Sequence, residues 1–265
     1  MCHLLLCPPE HYGIEYEINP WMDRASQVDR KSAAAQWQGL RDSLQSLGCR
    51  VETIEPQPGL PDMVFTANAG LVVGTRFISS RFRHPERQGE AAHFERWFAE
   101  HDYEIVRLPE GLVFEGEGDA LFCGDVLFCG YRFRSDIRSH LWIGDFLNCL
   151  ALSVELVDAR FYHLDTCFCP LGNGRAMWFP GAFDSYGQKV IREHVSELLE
   201  VSSEEALRFA CNAVVRSRDI MLPDGCAKLR TLLSDLGYHC HELPMSEFIK
   251  AGGACKCLTL FLPQR

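Results

Sequence analysis

The sequence has no excess of positive charge, and this absence narrows the range of partners. Lys and Arg total 26 against 36 Asp and Glu, which gives a formal net charge of -10 over 265 residues. A protein that binds nucleic acid needs a basic footprint on its surface, so the composition argues against that class. An acidic balance still allows a small cationic substrate, which acidic clefts favour.

The sequence also has no long apolar run, no basic leader and no linker rich in Pro, Gly or Ser. A membrane-spanning helix would need roughly 18 uninterrupted apolar residues, and residues 1–7 lack the basic region of a signal peptide. We therefore expect a cytoplasmic protein that is not bound to membranes and forms one domain over residues 1–265. The sequence leaves homo-oligomerisation open.

Cysteine, in contrast, is abundant, with 13 residues. The number is odd and no leader is visible, so we expect mostly reduced thiols that pack as small hydrophobic side chains. Two C-x-C pairs, at residues 167–169 and 255–257, raise the alternative of a zinc-binding protein. Structural zinc sites prefer a wider spacing, so we predict no metal site.

A weak internal repeat runs through the chain, with a period near 47 residues. Each repeat has an apolar strand, a polar or glycine-rich turn, a second apolar strand and a helix. One polar residue stands at a comparable place in each repeat: Asn68, Asp119, Asp165, Asn212 and Cys257. Simple alternation of strands and helices is the alternative explanation of this pattern.

Helical patterns lie between the strand pairs, at residues 27–47, 90–100, 135–150, 188–199 and 225–236. In the first of them, Ala34, Trp37, Leu40, Leu44 and Leu47 fall on one face. The last repeat stops at Arg265 soon after its first strand, and residues 3–7 can supply its missing strand. The pattern predicts a closed α/β propeller whose five polar residues converge at the axis, where a small-molecule site is expected.

Cys257 is the candidate nucleophile, because it follows Gly252 and Gly253 at the end of a loop. A catalytic thiol must be accessible and must form a thiolate, and a cationic guanidinium would favour that state. His163 can protonate a leaving amine and then deprotonate water. Asp165, expected on the same strand face as His163, can pair with a guanidinium.

Further polar residues stand in otherwise apolar stretches. Glu115, Glu117 and Asp119 alternate with glycine, which suggests a cradle for a cation, whereas a structural turn would need fewer acids. Asp62 can bond a substrate amine, and Asn68 can offer its amide to a neutral or developing charge. Four arginines lie near these strands, and two of them can pin a carboxylate, with surface ion pairs as the alternative: Arg81, Arg87, Arg132 and Arg134.

Taken together, these motifs resemble the guanidino-group-modifying enzymes, or penteins. Residues 252–257 (Gly-Gly-Ala-Cys-Lys-Cys) look like the nucleophile loop of arginine and agmatine deiminases, and residues 163–166 (His-Leu-Asp-Thr) look like their His–Asp element. The catalytic domain of cyanobacterial-type arginine dihydrolases is more similar, in six segments in the same order: residues 7–10, 18–22, 65–70, 86–90, 161–171 and 180–186. The resemblance implies a five-bladed α/β propeller, the pentein fold.

The resemblance also implies roles for single residues. Cys257 would attack the guanidinium carbon, and His163 would carry protons. Glu115 would pair with His163 or with the substrate, and Asp165 and Asp119 would grip the guanidinium. Arg87 and Arg134 would face the α-carboxylate of the substrate.

The implied reaction is hydrolysis of L-arginine without metal or cofactor. Deiminases usually have an acidic residue at the place of Asn68. The asparagine of this chain is expected to allow a second hydrolysis, which gives ornithine, ammonia and carbon dioxide. The alternatives are a deiminase or a dimethylarginine dimethylaminohydrolase that releases citrulline, an amidinotransferase, and a non-catalytic pentein that only binds. Glu117 departs from the family motif, and an extra acid there changes the charge of the pocket that also holds Glu115.

Overall fold

Short strands in five small sheets form the framework of the computed structural model, which describes residues 2–262. The strands are β1 (His3–Leu6), β2 (Arg50–Thr53), β3 (Gly70–Val73), β4 (Arg76–Ser79), β5 (Glu104–Arg107), β6 (Ala120–Cys123), β7 (Val126–Tyr131), β8 (Leu150–Glu155), β9 (Phe168–Gly172), β10 (Arg175–Trp178), β11 (Glu197–Glu200), β12 (Val214–Arg216), β13 (Asp219–Pro223), β14 (His239–Leu243) and β15 (Leu260–Phe261). The helices are α1 (Arg30–Ser46), α2 (Pro85–Gln88), α3 (Glu90–Glu100), α4 (Ile137–Leu147), α5 (Ser185–His194), α6 (Ser203–Ala206), α7 (Ala227–Asp235) and α8 (Ser246–Ile249).

Each sheet is one blade with the same connectivity. In the first blade, β3 pairs antiparallel with β4, helix α3 follows, and β5 returns parallel to β4. The blades β6–β7–β8, β9–β10–β11 and β12–β13–β14 repeat this pattern. The predicted five-bladed α/β propeller is confirmed.

The fifth blade is assembled from both ends of the chain. Strand β15 pairs antiparallel with β1, which places Leu4 opposite Phe261 and Leu5 opposite Leu260. Strand β1 in turn pairs parallel with β2. The expected contribution of residues 3–7 to the last repeat is therefore correct, and it closes the ring.

The third strand of every blade was missing from the predicted repeat. These strands (β2, β5, β8, β11 and β14) lie at the outer edge of their sheets and carry charged residues, as in Glu104–Arg107 and Glu197–Glu200. Charged side chains are common on edge strands because they discourage pairing with other chains. The apolar alternation that indicates a buried strand is therefore weak in these segments.

The helices follow the predicted pattern with shifted boundaries. Helix α3 begins and ends as predicted, whereas α5 begins earlier because the Asp184 carboxylate accepts hydrogen bonds from the amides of Tyr186 and Gly187. It ends at His194, since the residues after it form β11. In α1, Ala33 is buried and Ala34 is exposed, so the predicted apolar face was wrong by one residue at its start.

The innermost strand of each blade begins directly after a tight turn. Turns at Thr66–Ala69, Gly116–Gly118 and Leu164–Thr166 precede β3, β6 and β9, and similar turns hold Asn212 and Cys257. The five repeat residues therefore lie at the same end of the five inner strands. Among residues 2–262 no helix is long and apolar enough to cross a membrane.

Candidate active site

The thiol of Cys257 lies between a carboxylate and an amide. Its Sγ is 3.3 Å from Asp165 Oδ2 and 3.0 Å from Asn212 Nδ2, and the residue is 2% exposed. The thiol can donate to the carboxylate while it accepts from the amide. Three of the five repeat positions are thus in direct contact.

Burial keeps the thiol of Cys257 protonated. Burial, followed by the negative charge of Asp165, raises the pKa of Cys257 well above its usual value. Burial also raises the pKa of Asp165 to about 7, against the lowering effect of Lys256. A cation placed beside both groups would favour their charged forms, so the site is suited to activation by a cationic substrate.

Asn212 was identified only as a repeat position, and its contacts show a structural role in the site. Its Oδ1 accepts from the backbone amides of Ala254 and Cys257, and its Nδ2 donates to Asp165 O as well as to Sγ. One buried amide thus fixes both ends of the turn that carries Cys257. Its place in the repeat was the only sequence feature that could have marked it.

His163 and Glu115 form a second buried pair. His163 Nε2 is 2.9 Å from Glu115 Oε2, and Arg134 Nη1 donates to the same oxygen at 2.9 Å. Burial alone would raise the pKa of Glu115, but Arg134 and His163 hold it below its usual range. Glu115 is therefore ionised. It pairs with His163, one of its two expected partners, the other being the substrate.

The pairing with Glu115 decides which nitrogen of His163 is free. Burial lowers the pKa of His163 to about 4, although Glu115 opposes this effect, so the ring is neutral near pH 7. A carboxylate only accepts, which assigns the proton to Nε2. The unprotonated Nδ1 is buried and has no hydrogen-bond partner within residues 2–262, so it is available as a base.

Other buried polar atoms of the site also lack partners in the described part of the chain: Asp62 Oδ1, Asn68 Nδ2 and Asp165 Oδ1. Native proteins pair most buried polar groups, so unpaired groups that gather in one place suggest a ligand. A backbone hydrogen bond brings the turn of Asn68 next to that of Cys257, because Ala67 N donates to Cys257 O at 3.1 Å. The site thus offers two carboxylate oxygens, one amide and one ring nitrogen to a bound molecule.

Arg87 is occupied by the protein itself. It donates to Glu90 through Nε at 2.8 Å and Nη2 at 2.9 Å, to Asn68 Oδ1 at 2.8 Å and to Asp62 O at 3.1 Å. Its Nε is also 3.7 Å from Asp62 Oδ2. Four of its five N–H donors are therefore engaged, which leaves one for the expected contact with an α-carboxylate.

Arg134 and Asp119 also have partners within the protein. Arg134 lies over the ring of Tyr162, at 4.6 Å, and donates to Ile18 O as well as to Glu115. Asp119 Oδ2 accepts from Ser135 Oγ at 2.6 Å, and Oδ1 accepts from Leu164 N at 3.1 Å. Both carboxylate oxygens of Asp119 are thus paired within the protein, and one of them holds the turn that carries Asp165.

One expectation about the His–Asp element was wrong in its geometry. His163 and Asp165 do not share a strand face, because residues 164–166 form a turn of 3-10 helix. The turn directs the two side chains to different partners, since His163 reaches Glu115 and Asp165 reaches Cys257. In a strand, residues two apart share a face, and the sequence pattern did not reveal that these residues form a turn.

Glu117 is neutralised by a neighbouring cation. Lys256 Nζ is 2.8 Å from Glu117 Oε2, and both residues are 6% exposed. This pair lines a cavity of about 260 Å³ to which the inner strand of every blade contributes at least one apolar residue: Leu71, Leu121, Phe168, Val215 and Phe261. These residues follow the repeat positions along the strands, so the cavity occupies the other end of the axis, which we call the apolar chamber.

The loop before Cys257 packs against the N-terminal segment. Asn19 Nδ2 donates to Ala251 O, and Tyr162 OH donates to Gly252 O. Gly252 has φ +84°, and a side chain there would also press on Tyr162 and Trp21. In the part of the chain that the structure describes, no group of three or more His, Cys, Asp or Glu side chains is placed to hold a metal ion.

A ring of five ββαβ blades, with a cysteine, a histidine–glutamate pair and unpaired carboxylates at one end of its axis, defines a pentein of the guanidino-group-modifying class. The sequence model of the eukaryotic N,N dimethylarginine dimethylhydrolase family matches residues 14–260. The chain belongs to this family.

Sequence relatives include a bifunctional enzyme and a dimethylarginine dimethylaminohydrolase. The chain is 46% identical over 97% of its length to the bifunctional arginine dihydrolase/ornithine cyclodeaminase AgrE of Nostoc sp. and spans 37% of that protein. It is 38% identical over 96% of its length to the N(G),N(G)-dimethylarginine dimethylaminohydrolase of Mycobacterium tuberculosis, 84% of which is covered.

Solved structures give the same result. The N-terminal domain of ArgZ, an arginine dihydrolase from cyanobacteria, superimposes with a TM-score of 0.96 at 43% identity and covers 99% of this chain and 98% of its own. The dimethylarginine dimethylaminohydrolase of Pseudomonas aeruginosa has a TM-score of 0.83 at 19% identity, with 98% and 99% covered, which supports the fold alone.

Proposed function

We propose that this protein hydrolyses free L-arginine twice at the guanidinium carbon, giving ornithine, two molecules of ammonia and carbon dioxide. The observation that carries the proposal is the protonated thiol of Cys257 beside the buried carboxylate of Asp165. This pair needs a cation to become a thiolate, and a guanidinium supplies it. The bifunctional relative AgrE and the ArgZ domain support arginine as the substrate.

The first hydrolysis proceeds by covalent catalysis. Guanidinium binds beside Asp165, the thiol loses its proton to His163 Nδ1, and the thiolate adds to the guanidinium carbon. His163 returns this proton to a departing amino group, which leaves as ammonia and gives an S-alkylthiouronium. Water, deprotonated by His163, attacks the carbon and breaks the bond to sulfur, which regenerates the thiol and releases citrulline.

The second hydrolysis repeats the cycle on the ureido group. The thiolate adds to the ureido carbon, and the second ammonia leaves to give a thiocarbamate. Water then breaks the bond to sulfur, and the resulting carbamate loses carbon dioxide to give ornithine. We propose Asn68 as the group that permits this cycle, because an amide tolerates a neutral ligand that an acidic residue would bind less well.

The remaining site residues bind or position the substrate. We propose that Asp62 accepts from the α-amine, since its Oδ1 is buried and unpaired within residues 2–262. Glu115 holds His163 in the required tautomer, and Asp119 supports the turn of Asp165. We keep Arg134 as a group that faces the α-carboxylate.

Product analysis tests the proposal. Purified protein is incubated with L-arginine, and citrulline, ornithine and ammonia are quantified, with Cys257→Ser as the control. Ornithine with two ammonia per arginine, lost in the variant, is the expected result. Citrulline with one ammonia would move the protein to the deiminases.

The second candidate is a dimethylarginine dimethylaminohydrolase, which the matching family model and the M. tuberculosis relative favour. Turnover of dimethylarginine to citrulline and dimethylamine, without turnover of arginine, would establish it. Failure of both substrates would favour a binding protein.

A further inference from the structure

Glu90 is a buried charged residue to which the proposed mechanism gives no role. It is the first residue of α3 and is 0% exposed. Its two oxygens accept from Arg87 Nε at 2.8 Å and Nη2 at 2.9 Å. Two parallel hydrogen bonds of this kind fix the plane of the guanidinium as well as its position.

The fixed guanidinium determines the orientation of Asn68. Arg87 Nη1 lies 2.8 Å from the Asn68 amide. Because a guanidinium only donates, the atom that faces it must be Oδ1. The amide nitrogen Nδ2 then faces away from Arg87, where it is buried and has no partner in the described chain from residue 2 to 262.

The free amide nitrogen lies close to the reacting groups. A methyl group built on Gly118 would overlap Asn68 Nδ2 and would come within 3.3 Å of the His163 ring. Asn68 therefore presents N–H groups, and not its carbonyl oxygen, next to the proton-transfer residue. A guanidinium has no acceptor for these donors, whereas a ureido group has a carbonyl oxygen that gains negative charge when a thiolate adds.

We propose that Glu90 is a positioning residue that acts through Arg87 to keep the Asn68 N–H groups directed at the ureido oxygen, and that it thereby favours the second hydrolysis over release of citrulline. The inference rests on the proposed function and adds to it the residue that sets the product. It also gives Arg87 a positioning role beside the expected contact with the α-carboxylate.

The test is the product ratio of Glu90→Gln. Glutamine can accept only through its one oxygen, so one of the two bonds to Arg87 is lost and the guanidinium can turn. We expect kcat/KM for citrulline, and the ratio of ornithine to citrulline formed from arginine, to fall by about ten-fold, while consumption of arginine changes much less. A loss of stability alone would reduce both hydrolyses together.

A matched control and a second variant complete the design. Glu95→Gln removes a similar two-oxygen pair on the same helix, with Arg107 on the surface, and should leave the ratio unchanged. If Glu90→Gln does not fold, Glu90→Asp keeps the charge but shortens the side chain by one methylene, which withdraws the carboxylate from Arg87. The same selective loss of citrulline hydrolysis is expected.

The outcomes separate the two proposals. If the wild type forms ornithine but the substituted proteins keep its ratio, or lose both hydrolyses equally, the positioning role is overturned and the proposed function stands. If the wild type forms citrulline and no ornithine, both are overturned.

Discussion

The two ends of the ring axis are formed by the same inner strands but differ in whether their buried polar groups have partners. The end that carries Cys257 is called the catalytic end, after the proposed function. Four residues there each keep a buried atom without a partner within residues 2–262: Asp62, Asn68, His163 and Asp165. In the apolar chamber, the charge of Glu117 is matched by Lys256 at 2.8 Å. An unpaired buried polar group costs about 1–3 kcal/mol, and these four lie where a bound ligand can compensate for that cost.

The comparison separates residues that are proposed to bind the substrate from residues that only stabilise the site. The Lys256–Glu117 pair lines the apolar chamber, and Lys256 lowers the pKa of Asp165 at the opposite end of the axis. The chamber can therefore influence the chemistry through charge, whereas its apolar walls contribute to stability. Four substitutions test this division, beginning with the catalytic end.

Cys257→Ser should have the largest effect. A serine hydroxyl is far less acidic than a thiol and is not ionised by the same base, so we expect kcat to fall by at least about 10³-fold with the fold retained. Arginine turnover and mass spectrometry of the intact protein measure this. A variant with more than one-tenth of wild-type activity would show that Cys257 is not the nucleophile.

His163→Asn should have the next largest effect. Asparagine keeps a hydrogen bond to Glu115 but cannot carry a proton, and loss of a general acid–base typically costs about 10²–10⁴-fold in rate. Single-turnover kinetics with arginine should show slow formation or slow breakdown of the covalent adduct. Unchanged rates for both steps would assign proton transfer to another group.

The pH profile connects the two ends of the axis. Only the charged form of Asp165 pairs with guanidinium, so kcat/KM should rise as the pH increases through about 7, the raised pKa of this carboxyl. Lys256→Met removes the positive charge that lowers this pKa and should move the midpoint to higher pH. Lys250→Met, which affects a pair with Glu247 near the surface, is the control, and equal shifts in both variants would contradict the explanation.

Leu121→Ala in the apolar chamber should have the smallest effect on activity. Truncation of a buried leucine costs about 2–5 kcal/mol of unfolding free energy, and the lower end is expected here because Leu121 already borders a cavity. Urea denaturation measures the loss, and kcat/KM of the folded protein should remain near the wild-type value. A large fall in kcat/KM at unchanged stability would show that the walls of the chamber also take part in the reaction.

The repeat was sufficient to predict the ring because its five polar positions keep nearly constant spacing. The outer strands escaped prediction because charged residues such as Glu104 and Glu197 mask their apolar alternation. The start of α5 is set by the Asp184 cap, and apolar periodicity alone predicts a later start. In the site, Cys257, His163 and Glu115 could be identified from motifs, but Glu90 could not, because a helix-starting glutamate usually lies in solvent.

The sequence by itself determined the number of blades, the closure of the ring by both termini and the residue types gathered at its axis, because these follow from local periodicity and composition. Tertiary structure alone decided the protonation state of Cys257 and Asp165, the free nitrogen of His163 and the direction of the Asn68 amide. These properties depend on burial and on partners that lie 19 to 92 residues away in the chain. Local sequence does not encode such distances, and only the closed ring brings those groups into contact.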